Sequence, residues 1–395
     1  MIGHVDADCF YVSAERVRFP HLRGIPVGVL GNQGACVIAK SYEAKAAGIT
    51  TGMPIWEAVP RCPLMVFVKR DFAWYEVLSR KMLAIVQEAS PQVEFYSIDE
   101  QFFELSRPSI TDAQRMQQQI LSHVGVPVSI GLAPTKTLAK LISDSSKPFG
   151  CGVVQSEQER LQLLNQRPVE DITGIAKRSA RKLATYGITT CDQFAAADRR
   201  LIRRLLTKTG ECLWWELNGT AVIPIQTSRP RNKFVARGGS IGAASRDSAR
   251  VEAFVARNVE RLCEALAHHK LCCDHLILSL QFTDASERSQ RCSLLGSRAD
   301  FEALLEAAMY LLPTVWQPRT AFVHYMHVTA GGLRPILNRQ QSLFEQPKQI
   351  DIKHAINQRV GRFAVRSGAT APLIDIYADP ANSYDICDIY GKSCF

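Results

Sequence analysis

Four carboxylates stand in pairs inside two largely apolar segments, and this feature constrains the fold more than any other. Asp6 and Asp8 lie in an apolar run at the N-terminus, residues 2–9. Asp99 and Glu100 lie in the middle of a second apolar segment, residues 93–105. Burying a carboxylate is costly unless a cation or several hydrogen-bond donors meet it. The sequence therefore predicts that these acids face something positively charged.

Strand geometry alone does not bring the four acids together. Alternation puts Asp6 and Asp8 on the same face of a strand. The adjacent Asp99 and Glu100 would face opposite ways unless a turn or bulge intervenes. Two interpretations are open. The acids either hold divalent cations, which activate a hydroxyl and stabilise a leaving phosphate, or they are caps and surface ion pairs, with Asp8 capping the helix predicted at residues 10–16.

The positive charge of the chain is concentrated in its middle. The chain has a net charge of +9. Residues 167–250 contain 16 Lys and Arg against 7 Asp and Glu, so this segment alone carries the whole positive excess. Such a segment is typical of proteins that bind a phosphate backbone, although a solvated basic surface is the alternative. Neither an apolar run of about 18 residues nor a secretory signal is present. We therefore expect a cytoplasmic protein that does not enter a membrane.

The 12 cysteines are scattered without C-x-x-C pairs, which predicts mostly buried, reduced thiols. One close group of metal-type side chains consists of His268, His269, Cys272, Cys273 and His275. Adjacent cysteines point in different directions, and zinc ligands usually occur at regular spacing. The group therefore favours a helix end entering a buried strand over a metal site.

The predicted elements divide the chain into an α+β part, a basic helical part and a second α+β part. In the first part we predict helices at 41–47, 71–89, 111–124 and from 137, a strand pair within 93–105, and a strand at 126–132. Residues 169–218 are predicted to be helical and residues 224–230 to be a linker. Residues 233–332 follow with helices at 251–267 and 299–312, and residues 333–349 are polar and extended.

Four motifs follow one another along the chain. They are VDADCFY at 5–11, SYEAKAAG at 41–48, SIDE at 97–100, and GLAPTKTLAK at 131–140 with Lys147-Pro148 after it. Together they resemble the Y-family translesion DNA polymerases, without favouring the UmuC or the DinB branch. The resemblance implies an α+β multidomain fold of the right-hand polymerase type. Its parts are a ferredoxin-like palm, small fingers, a helical thumb with a helix-hairpin-helix, and an α+β little finger.

The resemblance also implies domain limits and a metal site. The limits are 1–10 and 70–165 for the palm, 11–69 for the fingers, 166–228 for the thumb, 232–332 for the little finger and 333–395 for a C-terminal tail. Catalytic metal ligation by Asp6, Asp99 and Glu100 is implied, with the backbone carbonyl of Ala7 assisting and two Mg²⁺ ions bound. The residue matching Asp8 is not a ligand in the family, which agrees with the helix-cap interpretation.

Four further positions match residues that contact the incoming nucleotide. Tyr11 stands at the steric-gate position, where an aromatic ring excludes a ribose 2′-OH. Tyr42, Lys45 and Lys147 match residues that contact the triphosphate. A phosphoryl-transfer site needs cations there as charge redistributes. Taken singly, Tyr11 would be a core tyrosine and each lysine a solvated surface residue.

Two segments resemble elements that hold DNA and its accessory factors. Gly174, Ala176, Lys177 and Arg178 lie in a helix-hairpin-helix motif, in which backbone N–H groups bind a DNA phosphate; Ala176 replaces the usual second glycine. Gln340, Leu343 and Phe344 resemble the bacterial sliding-clamp peptide, whose apolar anchors suit a partner's groove. The arginines at 199, 200, 203 and 204 either add charge for DNA or are solvated.

We therefore predict a monomeric, Mg²⁺-dependent DNA-directed DNA polymerase. It performs translesion synthesis in DNA repair and damage tolerance, as in an SOS response, without proofreading. Its predicted partners are primer–template DNA, deoxynucleoside triphosphates and a sliding clamp, with accessory mutagenesis proteins left open. The alternatives are an inactive polymerase-like scaffold of a mutagenesis complex, a nucleotide cyclase, and a DNA-binding module without activity. Residues 351–395 suggest no role.

Overall fold

The computed structural model describes residues 1–31, 36–106, 108–228, 231–318, 321–338, 352–361 and 363–377. The chain divides into two compact units, one within residues 1–229 and the other from residue 230 onward. This division falls inside the predicted linker, residues 224–230. None of the helices within the described ranges combines the length and the apolar character that crossing a bilayer requires.

The first unit contains two sheets and ten helices of α type among its described residues. In chain order its elements are β1 (Ile2–Ala7), α1 (Phe10–Arg18), β2 (Val27–Leu30), β3 (Val37–Lys40), α2 (Tyr42–Ala46), α3 (Ile55–Arg61), β4 (Val66–Lys69), α4 (Phe72–Ala89), β5 (Val93–Phe95), β6 (Glu100–Glu104), α5 (Ile110–Val124), β7 (Val128–Ala133), α6 (Lys136–Ser145), β8 (Cys151–Val153), α7 (Glu157–Leu164), α8 (Lys177–Ala184), α9 (Cys191–Ala196) and α10 (Arg199–Leu217). The helices, strand and strand pair predicted in this part are confirmed to within two residues.

The larger sheet places β1 at its centre. Its strand order is β5-β6-β1-β7-β8, and β1 runs antiparallel to both β6 and β7. Gly131 in β7 lets α6 lie directly on this sheet, because a Cβ there would meet the carbonyl oxygen of Ala139 at 2.2 Å. The close packing brings the side chains of α6 over the central strand.

The first unit also contains a smaller sheet and, later in the chain, the helices α7 to α10. β2 pairs antiparallel with β3 and parallel with β4. α2 follows β3 and is capped by Ser41, whose side chain accepts a hydrogen bond from Ala44 N at 3.2 Å. It ends before Gly48, which has a φ of +81°. Helices α7 to α10 form a core with α6, which confirms the helical prediction for residues 169–218.

The second unit is an antiparallel sheet with two long helices. Its elements are β9 (Phe234–Ser245), α11 (Ser248–His268), β10 (Leu271–Phe282), β11 (Glu287–Arg298), α12 (Phe301–Val315), β12 (Val323–Gly331), β13 (Arg334–Pro335), α13 (Ile352–Val360) and α14 (Ile374–Tyr377). The strand order is β11-β10-β12-β9, with β13 paired to β10. Both predicted helices are confirmed to within three residues. Leu373 and Ile376 belong to the core of this unit, so part of the C-terminal segment folds with it.

The histidine and cysteine group is a helix end entering a buried strand. α11 ends at His268, and Cys272 and Cys273 are buried at the start of β10. The only group of three or more potential metal ligands among the described residues lies in the first unit. The ten described cysteines form no disulfide with one another, and four of them are buried while six are half-buried, so the prediction that most are buried does not hold for them. Of the segment 333–349, residues 334–335 form β13 and 336–338 a single 3₁₀ turn; residues 339–349 lie outside the described residues.

Candidate active site

Three of the predicted carboxylates are carried to the same end of the central strands. The register of β1 and β6 sets Asp6 opposite Glu100. Asp99 lies in the bend between β5 and β6, and its carbonyl oxygen accepts a hydrogen bond from Ala7 N at 2.9 Å. The Asp99 carboxylate accepts a hydrogen bond from the hydroxyl of Ser97. The chain therefore bends at the residues just before Glu100, as a common role for these adjacent acids would require, and both acids lie at the strand end that carries Asp6.

Two lysines lie against these carboxylates. Lys147 Nζ is 2.7 Å from Asp6 Oδ2 and 3.0 Å from Asp144 Oδ1. Lys140 Nζ is 2.7 Å from Glu100 Oε1 and 3.9 Å from Asp6 Oδ2. Sequence reasoning assigned a role to Lys147 but none to Lys140. The available signal was a lysine among the apolar residues of an amphipathic helix, where an unpaired charge is costly.

Burial and these charges shift the protonation of the cluster. Burial raises the pKa of Asp6 to about 7, while Lys147 opposes the shift and Glu100 adds to it. Burial lowers the pKa of both Lys147 and Lys140, but their attraction to Asp6 and Glu100 outweighs this, so both pKa values lie above the ordinary range. The lysines therefore stay charged at neutral pH, whereas Asp6 is close to half-ionised.

The cluster offers ligand atoms for a divalent cation. Ligand atoms of His4, Asp6 and Glu100 lie within 4.8 Å of one another. His4 is fully buried, and its Nδ1 lies 2.7 Å from Ser143 Oγ. Its Nε2 is 3.9 Å from Glu100 Oε2 and has no hydrogen-bond partner among the described residues. The carboxylate oxygens of Asp6 and Glu100 fit a hard cation, whereas the imidazole nitrogen of His4 is a ligand that transition metals prefer. Sequence reasoning missed His4.

Tyr11 is held by aromatic contacts in the first turn of α1. Its ring stacks on Tyr75, with centroids 4.6 Å apart and planes 17° apart, and meets the edge of Phe72 at 5.7 Å. Tyr75 is fully buried, and its hydroxyl donates to Glu15 Oε1 at 2.7 Å. One face of the half-buried Tyr11 ring is therefore covered by a ring that is itself anchored.

Asp8 does not cap a helix, and the prediction that it does so is wrong. β1 ends at Ala7, and the residue that precedes α1 is Cys9, with a φ of +46° and no side-chain cap. This left-handed residue turns the chain between Asp8 and the helix. The Asp8 carboxylate instead accepts hydrogen bonds from Phe149 N at 2.6 Å, Ser129 Oγ at 3.0 Å and the Tyr42 hydroxyl at 3.3 Å.

Two of the residues predicted to contact the triphosphate lie beside acidic residues, and the third does not. Tyr42 begins α2 and is tied to Asp8 by its hydroxyl, and Lys147 is paired with Asp6. Lys45 lies in the same helix as Tyr42 with its side chain exposed. The structure therefore brings Tyr42 and Lys147 to the acidic residues and leaves Lys45 on the surface of α2.

The residues predicted to form a helix-hairpin-helix lie in a turn and at the start of a helix. Gly174 has a φ of +104°, and Ala176 is the residue that precedes α8. Lys177 and Arg178 begin α8 with exposed side chains. The residue before the helix, Ala176, provides no side-chain cap for the first backbone N–H groups. A helix start with two adjacent cations suits a phosphate. Ala176 is itself exposed, so its methyl group is not buried against the protein.

Among the arginines of α10, Arg199 and Arg203 both pair with Glu211, at 3.3 Å and 2.7 Å. Part of their charge is therefore balanced within the helix, while Arg200 and Arg204 are also exposed. The predicted clamp-binding residues Gln340, Leu343 and Phe344 lie outside the described residues.

The chain is similar to a family of known proteins in both of its units. Residues 5–144 match the impB/mucB/samB family, and residues 233–343 match the impB/mucB/samB family C-terminal domain. The chain is 29% identical over 388 residues to DNA polymerase IV 1 of Bacillus subtilis (strain 168), which covers 94% of this chain and 93% of that protein. It is 31% identical over 343 residues to Protein SamB of Salmonella typhimurium, with 80% and 79% covered. A solved Y-family DNA polymerase chimera of Dbh and Dpo4 matches the fold with a TM-score of 0.72 at 22% identity, over 84% of this chain and 98% of that one.

Proposed function

The chain belongs to the impB/mucB/samB family and is a DNA-directed DNA polymerase of the Y-family translesion kind; from this premise we propose that Asp6, Asp99 and Glu100 hold two catalytic Mg²⁺ ions. The observation that carries the proposal is the register of β1 and β6, which sets Asp6 opposite Glu100 while the Asp99 backbone is bonded to Ala7. Carboxylate oxygens are the ligands that Mg²⁺ prefers, and the Ala7 carbonyl assists them in the proposed site.

In this proposal Lys147 changes its partner when the metal ions bind, whereas Lys140 keeps Glu100. Mg²⁺ held by the carboxylates would help to activate the primer 3′-hydroxyl and to neutralise the leaving group. Lys147 then no longer balances the charge of Asp6, and its ammonium group is available to the triphosphate. Lys140 stays with Glu100, at 2.7 Å, and holds that carboxylate in place. Both lysines are charged throughout, because their carboxylate partners raise the pKa of each despite burial.

The incoming deoxynucleoside triphosphate is proposed to lie between the acidic residues and α2. Tyr42 and Lys45 on that helix contact its phosphates from one side, and Lys147 from the other. Tyr11 meets the sugar. Its covered, stacked ring leaves no room for a 2′-OH on the nucleotide, which selects deoxyribose by shape.

Primer–template DNA is the proposed partner of the basic elements. Gly174, Ala176, Lys177 and Arg178 bind a backbone phosphate through the start of α8. We assign residues 1–10 and 70–165 to the palm, 11–69 to the fingers, 166–228 to the thumb, 232–332 to the little finger and 333–395 to the C-terminal tail. Duplex held by its phosphates is bound without regard to sequence, as a polymerase requires.

A sliding clamp is the proposed protein partner, through Gln340, Leu343 and Phe344. Two apolar anchors in a polar segment suit a groove on such a partner. Accessory mutagenesis proteins are a further proposed class of partner. The monomeric protein would act in the cytoplasm, during an SOS-type response to DNA damage and without proofreading.

The inactive scaffold has no support from the site. A relative that had lost catalysis would have no reason to keep Asp6, Asp99 and Glu100, and all three are present. A nucleotide cyclase would not need the exposed cations at the start of α8. A DNA-binding module would leave the buried acid–lysine cluster without a role.

Primer extension tests the proposed function. With Mg²⁺ and all four deoxynucleotides, the protein should extend a primer on an undamaged template and continue past a single abasic site. A replicative polymerase assayed in parallel should stop one position before that site. Failure of the protein to extend either template would contradict the polymerase function, and arrest at the abasic site would contradict the translesion assignment.

Metal affinity should depend on pH through Asp6. Because the pKa of Asp6 is raised to about 7, this carboxyl is mostly protonated at pH 6 and mostly ionised at pH 8. A cation binds only the ionised form, so Mg²⁺ binding should be about tenfold tighter at pH 8 than at pH 6 and should level off above that. Isothermal titration of the protein with MgCl₂ at four pH values measures this. Equal affinity at both ends of the range would contradict it.

A further inference from the structure

Asp8 joins three separate segments at the edge of the site. It is 2% exposed, and its two carboxylate oxygens accept three hydrogen bonds. The donors are Ser129 in β7, the Tyr42 hydroxyl at the start of α2, and the backbone N–H of Phe149, which follows α6. A buried carboxylate with three donors is a rigid junction, because losing any one of them leaves a polar group unsatisfied.

Two of these three donors lead to residues that face the phosphates of the nucleotide. Tyr42 is one of them itself. Phe149 lies two residues after Lys147, and its φ of +49° is a left-handed conformation that bulky side chains rarely adopt. The 2.6 Å hydrogen bond from its N–H to Asp8 holds the backbone in that conformation. The same carboxylate therefore constrains the helix start that carries Tyr42 and the turn that carries Lys147.

We propose that Asp8 is a positioning residue that sets the Tyr42 hydroxyl and the Lys147 turn at the spacing that a nucleoside triphosphate requires. The proposal rests on the proposed polymerase function, but it assigns Asp8 neither metal ligation nor a contact with the reacting atoms. Its position two residues from Asp6 serves a different task. Asp6 meets the cations, and Asp8 holds the residues that meet the phosphates.

The test is a comparison of steady-state single-nucleotide insertion by four variants. Asp8→Asn keeps the size of the side chain but turns an N–H group toward one of the three donors. It should raise KM for the nucleotide about tenfold, the effect of one lost charge-assisted hydrogen bond, with kcat changed by less than about threefold. Tyr42→Phe should raise KM about fivefold. Because the Tyr42 hydroxyl is one of the groups that Asp8 holds, the two substitutions share that contact, and the double variant should raise KM by clearly less than the roughly fiftyfold of independent sites.

Glu216→Gln is the matched control. Glu216 is also a buried carboxylate with three backbone donors, Thr137, Val222 and Ile223, but none of them leads to the phosphates. Its replacement should lower the thermal midpoint while leaving KM within about twofold of wild type. A residue with only a structural role behaves in this way. Comparing Asp8→Asn with Glu216→Gln therefore separates an effect on nucleotide KM from an effect on stability.

The possible results are distinct. A KM for Asp8→Asn within twofold of wild type, or effects of the two substitutions that multiply, overturns the role of Asp8. If circular dichroism shows that Asp8→Asn does not fold, the test rests on Tyr42→Phe. An unchanged KM for Tyr42→Phe then overturns the proposal. A wild type that extends no primer contradicts the polymerase function instead, which separates the two failures.

Discussion

The double variant Asp99→Asn/Glu100→Gln should lose primer extension, with kcat reduced by about 1,000-fold or more, because several kcal/mol of charge stabilisation at the reacting phosphate disappear. Both acids lie at the bend that leads into β6, opposite the strand end that carries Asp6. Amides of the same size keep the bend and the packing but bind a divalent cation weakly. The loss should therefore appear in kcat at saturating nucleotide and DNA.

A matched control separates this effect from a general loss of acidic charge. Glu88 is exposed near the end of α4, away from the strand ends, and Glu88→Ala should extend primers like wild type. DNA binding by the double variant, measured by fluorescence anisotropy, should also stay close to wild type. Undiminished extension by the double variant would remove Asp99 and Glu100 from the catalytic machinery.

Replacing Tyr11 by alanine should admit ribonucleotides. The ratio of kcat/KM for a deoxynucleotide to that for the matching ribonucleotide should fall about 100-fold, the upper range for exclusion by shape alone. The physical cause is the stacked ring, which Tyr75 covers on one face and anchors through Glu15. Removing that ring opens a space that can hold a ribose 2′-OH.

Tyr11→Phe distinguishes the ring from its hydroxyl. It keeps the stack on Tyr75 and should therefore retain most of the sugar discrimination. Single-nucleotide insertion of a deoxynucleotide and of the matching ribonucleotide is measured for wild type, Tyr11→Ala and Tyr11→Phe. A Tyr11→Ala variant that still rejects ribonucleotides would end the assignment of a steric gate, whereas a Tyr11→Phe variant that accepts them would transfer the role to the hydroxyl.

Local pattern was sufficient for the elements and for the family. The helices at 71–89 and 111–124, the strand pair within 93–105 and the helices of the second unit were predicted from periodicity, because side-chain burial repeats with the geometry of each element. The turn at Asp99–Glu100 followed from the ligand set that the family resemblance implies, because adjacent acids on a flat strand would face opposite ways. The motifs around Asp6, Tyr42 and Lys147 then carried the family resemblance.

Local pattern failed where partners come from distant segments. Asp8 was predicted to be a helix cap, since the next residues are helical, but the left-handed Cys9 turns the chain and three donors from other segments meet the carboxylate. Lys140 and His4 had no assigned role, because their partners Glu100 and Ser143 are about 40 and 139 residues away.

The sequence by itself determined which side chains bear charge, which segments are helices or strands, and the order of the motifs. These properties depend on a residue and its near neighbours. The family resemblance excluded Asp8 from the metal ligands, but only the tertiary structure decided which side chains meet each of the four carboxylates. Asp6 and Glu100 face each other across a strand pair and share Lys140, and Asp6 also pairs with Lys147. Asp8 turns away to hold Tyr42 and the turn after α6. That division follows from strand register and from one left-handed residue, and neither is visible in a pattern of residue types.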